Sequence, residues 1–217
     1  MFPAQGRRLR KLKRLPRRAI AHSELRFLES LSTPRRIQDF LVRMPINHER
    51  DGETVSSPLV TLRRNSAHCL EGALVAALAL WMQGHPPLIM DLKTVNDDED
   101  HVVAVFRVGG RWGGITKTNH AVLRYRDPVY RDLRELAMSY FHEYALPDGR
   151  KSLRSYSRPY DLRTYDQDWI TTEEPLLEVE YHIDTAPHYS LLDRGQIGRL
   201  RPMDPIEIEA GKLVEWQ

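Results

Sequence analysis

The sequence predicts an α+β domain in which one buried helix packs on an antiparallel sheet. Residues 69–83, CLEGALVAALALWMQ, are rich in Ala, Leu and Met and apolar on nearly every side, which is typical of a central buried helix. The valine-rich, alternating stretch His101–Val108 predicts a strand, and Gly109-Gly110 followed by Trp112–Thr118 predicts the turn and return strand of a hairpin. A chain of 217 residues can bury such a core as one domain with extensions.

Two short helices are predicted before the central one. Thr33 is a suitable N-cap, Pro34 fits the first helical turn, and apolar residues follow at helical spacing until Pro45. Ser57-Pro58 repeats this pattern and predicts a second short helix. Both helices therefore precede the cysteine-bearing helix.

Further elements are predicted after the central helix. Asp127-Pro128 resembles an N-cap followed by a first helical residue, and the apolar side of that helix would continue almost to Pro147. The alternative that Asp127 belongs to the functional site is weaker than this capping interpretation. The remaining predicted strands are Leu88–Leu92, Ala121–Tyr125, Leu176–Ile183 and Ile206–Ile208.

Charge is unevenly distributed along the chain. The formal net charge is only +2, yet residues 1–23 carry eight Arg and Lys residues and no acidic residue. This composition is typical of a disordered tail, and it also suits contact with a polyanion. We therefore divide the chain into a basic tail, 1–25, and a single domain with a C-terminal extension, 26–217.

Two sequence features bear on where the protein resides. The chain has one cysteine, which excludes an internal disulfide and favours a reducing compartment. No apolar run is long enough to span a membrane, and an apolar segment typical of a secretory signal is missing. We therefore expect no membrane span and a cytoplasmic location.

Cys69 and His101 are the candidate catalytic residues. Cys69 stands at the predicted start of the central helix, where free N–H groups and the positive end of the helix dipole favour a thiolate and can face a developing oxyanion. His101 begins a strand of the hairpin that should pack on that helix, so it could exchange a proton with the thiol. The alternative is that Cys69 is an inert, buried cysteine.

This arrangement resembles the transglutaminase-like, papain-related superfamily of cysteine enzymes. The resemblance rests on Ala67-His68-Cys69-Leu70-Glu71-Gly72-Ala73 at the start of an Ala/Leu-rich helix that ends at Gly84, and on His101, the Gly109-Gly110 turn and Trp112 on the return strand. It covers about residues 55–120. It implies a papain/transglutaminase-like core and a Cys–His pair acting on an amide or ester bond.

One position departs from the family pattern. The family usually has an Asp four residues after the tryptophan, where it orients the histidine, and this chain has Thr116. A hydroxyl or amide can hold an imidazole, although it stabilises an imidazolium less than a carboxylate does. We therefore expect Thr116, or nearby Asn119, to be the third member of the site, unless the triad is broken.

Other residues are candidates for substrate contact rather than chemistry. His68, Trp112, Asn119 and His120 are predicted to line the site. The segment 151–163, where Arg and Lys alternate with Tyr, suits a peptide, sugar or nucleic acid, although a solvated loop is the simpler interpretation. No cofactor and no metal are expected, because paired Cys/His spacing is missing and the HExxH pattern that begins at His142 has Leu146 where the second histidine belongs.

Two functions remain open from the sequence. The first is a cysteine-dependent hydrolase or acyltransferase with a peptide or another amide-containing substrate, in which Cys69 attacks and His101 transfers protons. The second is a catalytically degenerate domain of the same fold that serves as a binding module, as the missing Asp at Thr116 would suggest. The reactivity of the Cys69 thiol distinguishes the two.

Overall fold

A computed structural model describes residues 14–217 except 51, 53, 166 and 167. The described chain is an α+β structure with eight α-helices and a seven-stranded antiparallel sheet. The helices are α1 (His22–Ser30), α2 (Pro34–Arg43), α3 (Pro58–Arg64), α4 (Cys69–Met82), α5 (Leu133–Met138), α6 (Leu177–Asp184), α7 (Arg194–Ile197) and α8 (Pro205–Gly211). The strands are β1 (Leu88–Lys93), β2 (His101–Val108), β3 (Arg111–Ile115), β4 (Arg126–Tyr130), β5 (Ser155–Ser157), β6 (Tyr160–Asp161) and β7 (His188–Ser190).

The predicted basic tail is described only in part. Residues 1–13 lie outside the described residues. They include most of the basic residues for which contact with a polyanion is predicted. Within residues 14–25, a short 3-10 helix covers Arg17–Ala19 and α1 begins at His22. Ile20, between them, is buried in the core.

The sheet runs in the order β4-β3-β2-β1-β5-β7, and β6 also pairs with β1. The predicted hairpin is confirmed, because β2 and β3 pair from Ala104–Ile115 to Val108–Arg111 around the glycine turn. Both turn glycines have positive φ, 56° at Gly109 and 79° at Gly110, which side-chain-bearing residues rarely adopt.

Two hydrophobic cores lie on the two faces of the sheet. Along β2, Val102, Ala104 and Phe106 face the core that contains α4, whereas Val103 and Val105 face the core that contains α5. Strand alternation explains this division, because successive side chains point to opposite faces. The sheet is therefore covered on both sides, as its continuous apolar strands require.

The prediction of a central buried helix is confirmed. In α4, all eleven residues from 70 to 80 are buried. The two helices predicted before it are confirmed as well: Thr33 Oγ1 accepts a hydrogen bond of 3.2 Å from the N–H of Arg36, and α3 begins at Pro58. Cys69 is the first residue of α4, so the thiol lies where the buried helix meets the surface.

The predicted helix at Asp127-Pro128 is wrong. Both residues belong to β4, which is an edge strand of the sheet, where a proline costs no ladder hydrogen bond on its open side. The real N-cap is Asp132, whose Oδ1 accepts from the N–H of Glu135 at 2.8 Å. The strand predicted at Ala121–Tyr125 is also wrong, because this segment is irregular and β4 follows it.

Two other predicted strands are helices. Leu176–Ile183 alternates as a strand does, but Val179 and Ile183, four residues apart, are both buried in α6. Spacing by four satisfies the helical period as well as the strand period, and tertiary packing selects the helix. Ile206–Ile208 lies in α8. Asp204 and Glu207 cap this helix, and the N–H of Asp204 donates to Glu207 Oε2 at 2.7 Å.

None of the described helices has both the length and the apolar composition needed to cross a bilayer.

Gly72 is required where the first turn of α4 meets the segment that follows β3 and Thr116. A Cβ at Gly72 would lie 2.3 Å from the Cβ of Lys117, which is too close for two carbon atoms that are not bonded to each other. Lys117 cannot easily withdraw, because it is 1% exposed and its Nζ donates to the carbonyl of Met44 at 2.5 Å. The helix and the residue after Thr116 are therefore in close contact.

We expect Gly72→Ala to destabilise the protein by about 1–3 kcal/mol, the usual cost of overpacking a buried contact. Thermal unfolding measures this difference. Gly211→Ala is the matched control, because no atom lies within 4 Å of its added Cβ, and it should leave the melting temperature unchanged or slightly higher. Equal melting temperatures for Gly72→Ala and wild type would contradict the close contact.

Candidate cysteine–histidine site

Cys69 is half-buried at the first position of α4. The first backbone N–H that donates into this helix is that of Gly72, which bonds the carbonyl of His68 at 2.9 Å. The N–H groups of the preceding helical residues have no acceptor within the helix, and together with the helix dipole they favour negative charge at this end. Cys69 is therefore partly exposed as a residue, and its thiol lies in an environment that stabilises a thiolate.

His101 is held by Thr116 rather than by a carboxylate. His101 Nε2 and Thr116 Oγ1 are 2.6 Å apart, and both side chains are buried. The Thr116 hydroxyl donates its own proton to the carbonyl of Leu123 at 2.9 Å. Thr116 Oγ1 must then accept from His101, so Nε2 carries the hydrogen and Nδ1 is the nitrogen left to act as a base.

Leu123 completes this chain of hydrogen bonds in an uncommon conformation. Its φ is +60°, in the left-handed region that residues with a side chain rarely adopt. Its N–H donates to Glu143 Oε2 at 2.7 Å, and the other Glu143 oxygen pairs with Arg126 at 2.6 Å. Bonds on both sides of Leu123 thus hold its carbonyl toward Thr116.

His68 is a second histidine partner of the thiol. Its Nε2 lies 2.5 Å from the carbonyl oxygen of Thr54, which can only accept, so Nε2 carries a hydrogen and Nδ1 remains for Cys69. Burial opposes protonation, but the hydrogen bond with Cys69 and the charges of Cys69, Glu71 and Glu49 raise the pKa of His68 to about 9. His68 is therefore an imidazolium at neutral pH.

The two histidines determine the state of the thiol. Burial by itself would raise the pKa of Cys69, but hydrogen bonds from His101 and His68, and the positive charge of both rings, lower this pKa to about 5. An ordinary cysteine titrates at about 8.5. Cys69 is therefore a thiolate at neutral pH, as a nucleophilic cysteine must be.

The buried carboxylate of Glu71 fixes the turn before the cysteine. Its side chain has no exposed surface, and Arg64 Nη2 bonds it at 2.5 Å. Asn47 Nδ2 and the N–H of Ser56 donate to it at 3.1 Å, and the N–H of His68 donates at 3.2 Å. Burial acts against ionisation, but these donors lower the pKa of Glu71, which stays charged and ties the preceding loop to α4.

Tyr144 is a buried tyrosine whose titration the charge of Cys69 influences. It is 4% exposed, and its hydroxyl has no hydrogen-bond partner among the described residues. Burial first, and then the negative charge of nearby Cys69, raise the pKa of Tyr144 well above its usual value. The group therefore stays protonated and can donate. No sequence pattern identifies it, because Tyr144 follows a 3-10 turn that the sequence predicts as the end of a helix.

The other predicted site residues have different contacts. The side chain of Asn119 bonds both backbone groups of Trp216, at 2.9 Å and 2.8 Å, so it anchors the C-terminal segment and leaves the His101 contact to Thr116. His120 is exposed, and its Nδ1 lies 3.0 Å from the carbonyl of Gly211. Trp112 packs on the α5 side of the sheet. Their substrate contacts stay predictions.

One carboxylate group has the spacing of a cation site. In the chain as described, oxygens of Asp91, Asp100 and Asp184 lie within 4.8 Å of one another. Lys93 Nζ pairs with Asp184 and lies 3.4 Å from Asp100, and His188 Nε2 lies 3.0 Å from Asp91. Cationic or polar side chains of the protein already bond all three carboxylates.

The pH dependence of Cys69 alkylation tests the two-histidine arrangement. Because the chain has one cysteine, a thiol reagent reports Cys69 alone. We expect a titration midpoint near the pKa of about 5 in the native protein, because the thiolate is lost only as the pH falls through that value. His101→Ala and His68→Ala should each raise the midpoint, and the double variant should raise it to about 8.5 or above.

The urea-unfolded chain provides the reference for an unperturbed thiol. A native midpoint equal to that reference would contradict the thiolate.

No family model matches this chain, and no curated protein matches it.

Proposed function

We propose that this protein is a cysteine-dependent hydrolase or acyltransferase that acts on an amide or ester bond. The observation that carries the proposal is the thiol of Cys69, whose pKa is lowered to about 5 by two histidines at the start of a buried helix. A structural cysteine needs no such surroundings, and burial without partners would make it inert. Perturbed titration at an accessible group is typical of functional sites.

In the proposed reaction, the thiolate of Cys69 attacks while Nδ1 of His101 carries a proton for the leaving group. The sulfur attacks the carbonyl carbon of the substrate and forms a C–S bond, while the carbonyl electrons move to oxygen. The free N–H groups at the start of α4 face this oxyanion, and the Tyr144 hydroxyl is a further donor in the neighbourhood. The C–N or C–O bond then breaks as Nδ1 of His101 gives its proton to the leaving amine or alcohol.

The second half of the reaction releases the acyl group. Water or an amine attacks the thioester, and Nδ1 of His101 takes the proton that this nucleophile loses. Collapse of the second oxyanion breaks the C–S bond and restores the thiolate. With water the result is hydrolysis, and with an amine it is acyl transfer, so the same residues serve both reactions.

Thr116 and His68 divide the work that one carboxylate usually does. Thr116 orients His101 and keeps the hydrogen on Nε2, but it carries no charge to stabilise an imidazolium. Burial opposes protonation of His68, but its contacts with Cys69 raise its pKa to about 9, so it supplies a further positive charge to the thiolate at neutral pH. The thiolate therefore persists although the usual Asp is missing.

We further propose that the core is papain/transglutaminase-like. In support, a cysteine begins the central helix, a histidine begins a strand of the sheet beside it, and the residue at the family's Asp position contacts that histidine. The degenerate binding module predicted as an alternative shares this fold but needs no thiolate. A normal thiol in the alkylation titration would therefore favour the binding module.

An activated ester tests the chemistry before the natural substrate is known. With p-nitrophenyl acetate, wild type should release a burst of p-nitrophenol and gain one acetyl group by intact-mass spectrometry. Cys69→Ala should show neither, and His101→Ala should slow hydrolysis of the acetyl-enzyme by roughly 10²- to 10⁴-fold, the usual contribution of general acid–base catalysis, because p-nitrophenolate leaves without a proton whereas attack by water needs a base. Acetylation of Cys69→Ala at the wild-type rate would overturn the proposal.

Two variants of Thr116 distinguish the effect of its hydroxyl from the effect of its side-chain shape. Thr116→Val keeps the volume but removes the acceptor for His101, so hydrolysis of the acetyl-enzyme should slow by about tenfold or more as part of the acid–base contribution is lost. Thr116→Ser keeps the hydroxyl and should retain most of the rate. If both variants react as wild type does, then Thr116 does not position His101.

A further inference from the structure

A cavity lined by basic residues lies apart from the cysteine site. It has a volume of about 270 Å³ and lies between the turn that ends at Lys151 and the segment 197–202. Four of its lining residues are cationic, namely Arg150, Lys151, Arg154 and Arg201, and none of the described lining residues is acidic. Like charges are rarely gathered around one small cavity unless an anion offsets their repulsion.

Two of these cations already have carboxylate partners outside the cavity. Arg150 Nε pairs with Asp148 at 2.6 Å, and the guanidinium of Arg201 pairs with both oxygens of Asp204, at 2.5 Å and 3.1 Å. All four of these side chains are largely exposed. Their charges are therefore balanced and screened, and they contribute mainly to the rim.

Lys151 and Arg154 have no carboxylate within ion-pairing distance among the described residues. Lys151 is 9% exposed, and its Nζ donates to the carbonyl of Arg201 at 2.6 Å, which leaves two of its three ammonium hydrogens. Arg154 is half-buried and donates from Nη1 to the carbonyl of Leu153 at 2.9 Å. Burial and then repulsion by Arg150 lower the pKa of Arg154, as expected for a cation without a counter-ion.

Backbone hydrogen bonds hold the cavity open. Lys151 pairs with Ala145 across a tight turn, in which Gly149 has a φ of +83°. The N–H of Met203 donates to the carbonyl of Gly149 at 2.9 Å, and this bond fastens the segment 197–202 over the turn. The cavity is thus formed before any ligand arrives, which lowers the entropic cost of binding.

The rest of the wall is apolar. Val95, Leu146, Ile197 and Leu200 line the cavity beside the cations. A volume of about 270 Å³ is at the lower end of small-molecule sites. The lining therefore suits a compact ligand that has an anionic head and an apolar or flat body.

We propose that this cavity binds the phosphoryl group of a small phosphate monoester, with Lys151 and Arg154 as its ligands. Two positive charges, one buried at Lys151 and one half-buried at Arg154, match a dianion better than a carboxylate, and both groups retain free N–H donors for phosphate oxygens. The apolar wall contacts the group esterified to the phosphate. This site is independent of the proposed chemistry at Cys69.

Calorimetric titration of the full chain at constant ionic strength tests the site. Phenyl phosphate should bind, inorganic phosphate should bind more weakly because it lacks an apolar body, and benzoate should bind weakest because it carries a single charge. Arg154→Gln should weaken the binding of phenyl phosphate by at least about tenfold, which is the effect of losing a charge-assisted contact.

Two control variants define where the ligand binds. Arg158→Gln removes an exposed charge four residues away that does not line the cavity, and Cys69→Ala removes the thiol; both should bind phenyl phosphate as wild type does. Thermal unfolding checks that every variant is folded. Wild-type affinity in folded Arg154→Gln, an equal loss in Arg158→Gln, or no binding at millimolar phenyl phosphate would each overturn the proposal.

Discussion

The structure depends on burying the first turn of an apolar helix together with a carboxylate. Eleven consecutive residues of α4 are buried, and Glu71, one of them, is fully removed from solvent. A buried carboxylate without partners would cost several kcal/mol of stability, roughly 3–5 when one partner of a buried pair is lost. Arg64, Asn47 and the backbone of Ser56 meet this requirement, and in doing so they fasten the loop before α4 to the helix. Packing thus places α4, and electrostatics fixes the turn that carries Cys69.

The same turn explains how a thiolate can persist without the expected carboxylate. The histidine on the strand is oriented by a neutral hydroxyl, and the histidine on the turn adds a second ring. Each ring has its Nε2–H committed to an oxygen, of Thr116 for His101 and of Thr54 for His68, and each has Nδ1 left for the sulfur. The thiolate is therefore stabilised by hydrogen bonds and charge from two rings, where a Cys–His–Asp triad has one histidine supported by a carboxylate.

The helices and strands closest to the site were the most predictable from the sequence. Helix α4 and the β2–β3 hairpin follow from composition and from a glycine turn, and both are local signals. The sequence leaves two candidates for the residue that holds His101, namely Thr116 and nearby Asn119. The structure distinguishes them, because the side-chain amide of Asn119 is hydrogen-bonded to the backbone of Trp216. The sequence predicts strands where α6 and α8 lie, because a short apolar alternation satisfies both periods. Buried Val179 and Ile183 select the helix in α6, whereas capping by Asp204 and Glu207 favours it in α8, which has no buried residue.

The chain of hydrogen bonds behind His101 ends at a backbone carbonyl, that of Leu123. Every amino acid has this group, so the chemical identity of residue 123 is free to drift during evolution while the imidazole keeps its orientation. What must be kept is the backbone conformation at residue 123, and no single residue type specifies that conformation. A support of this kind leaves no residue type to find, so the same arrangement could recur without a recognisable triad in the sequence.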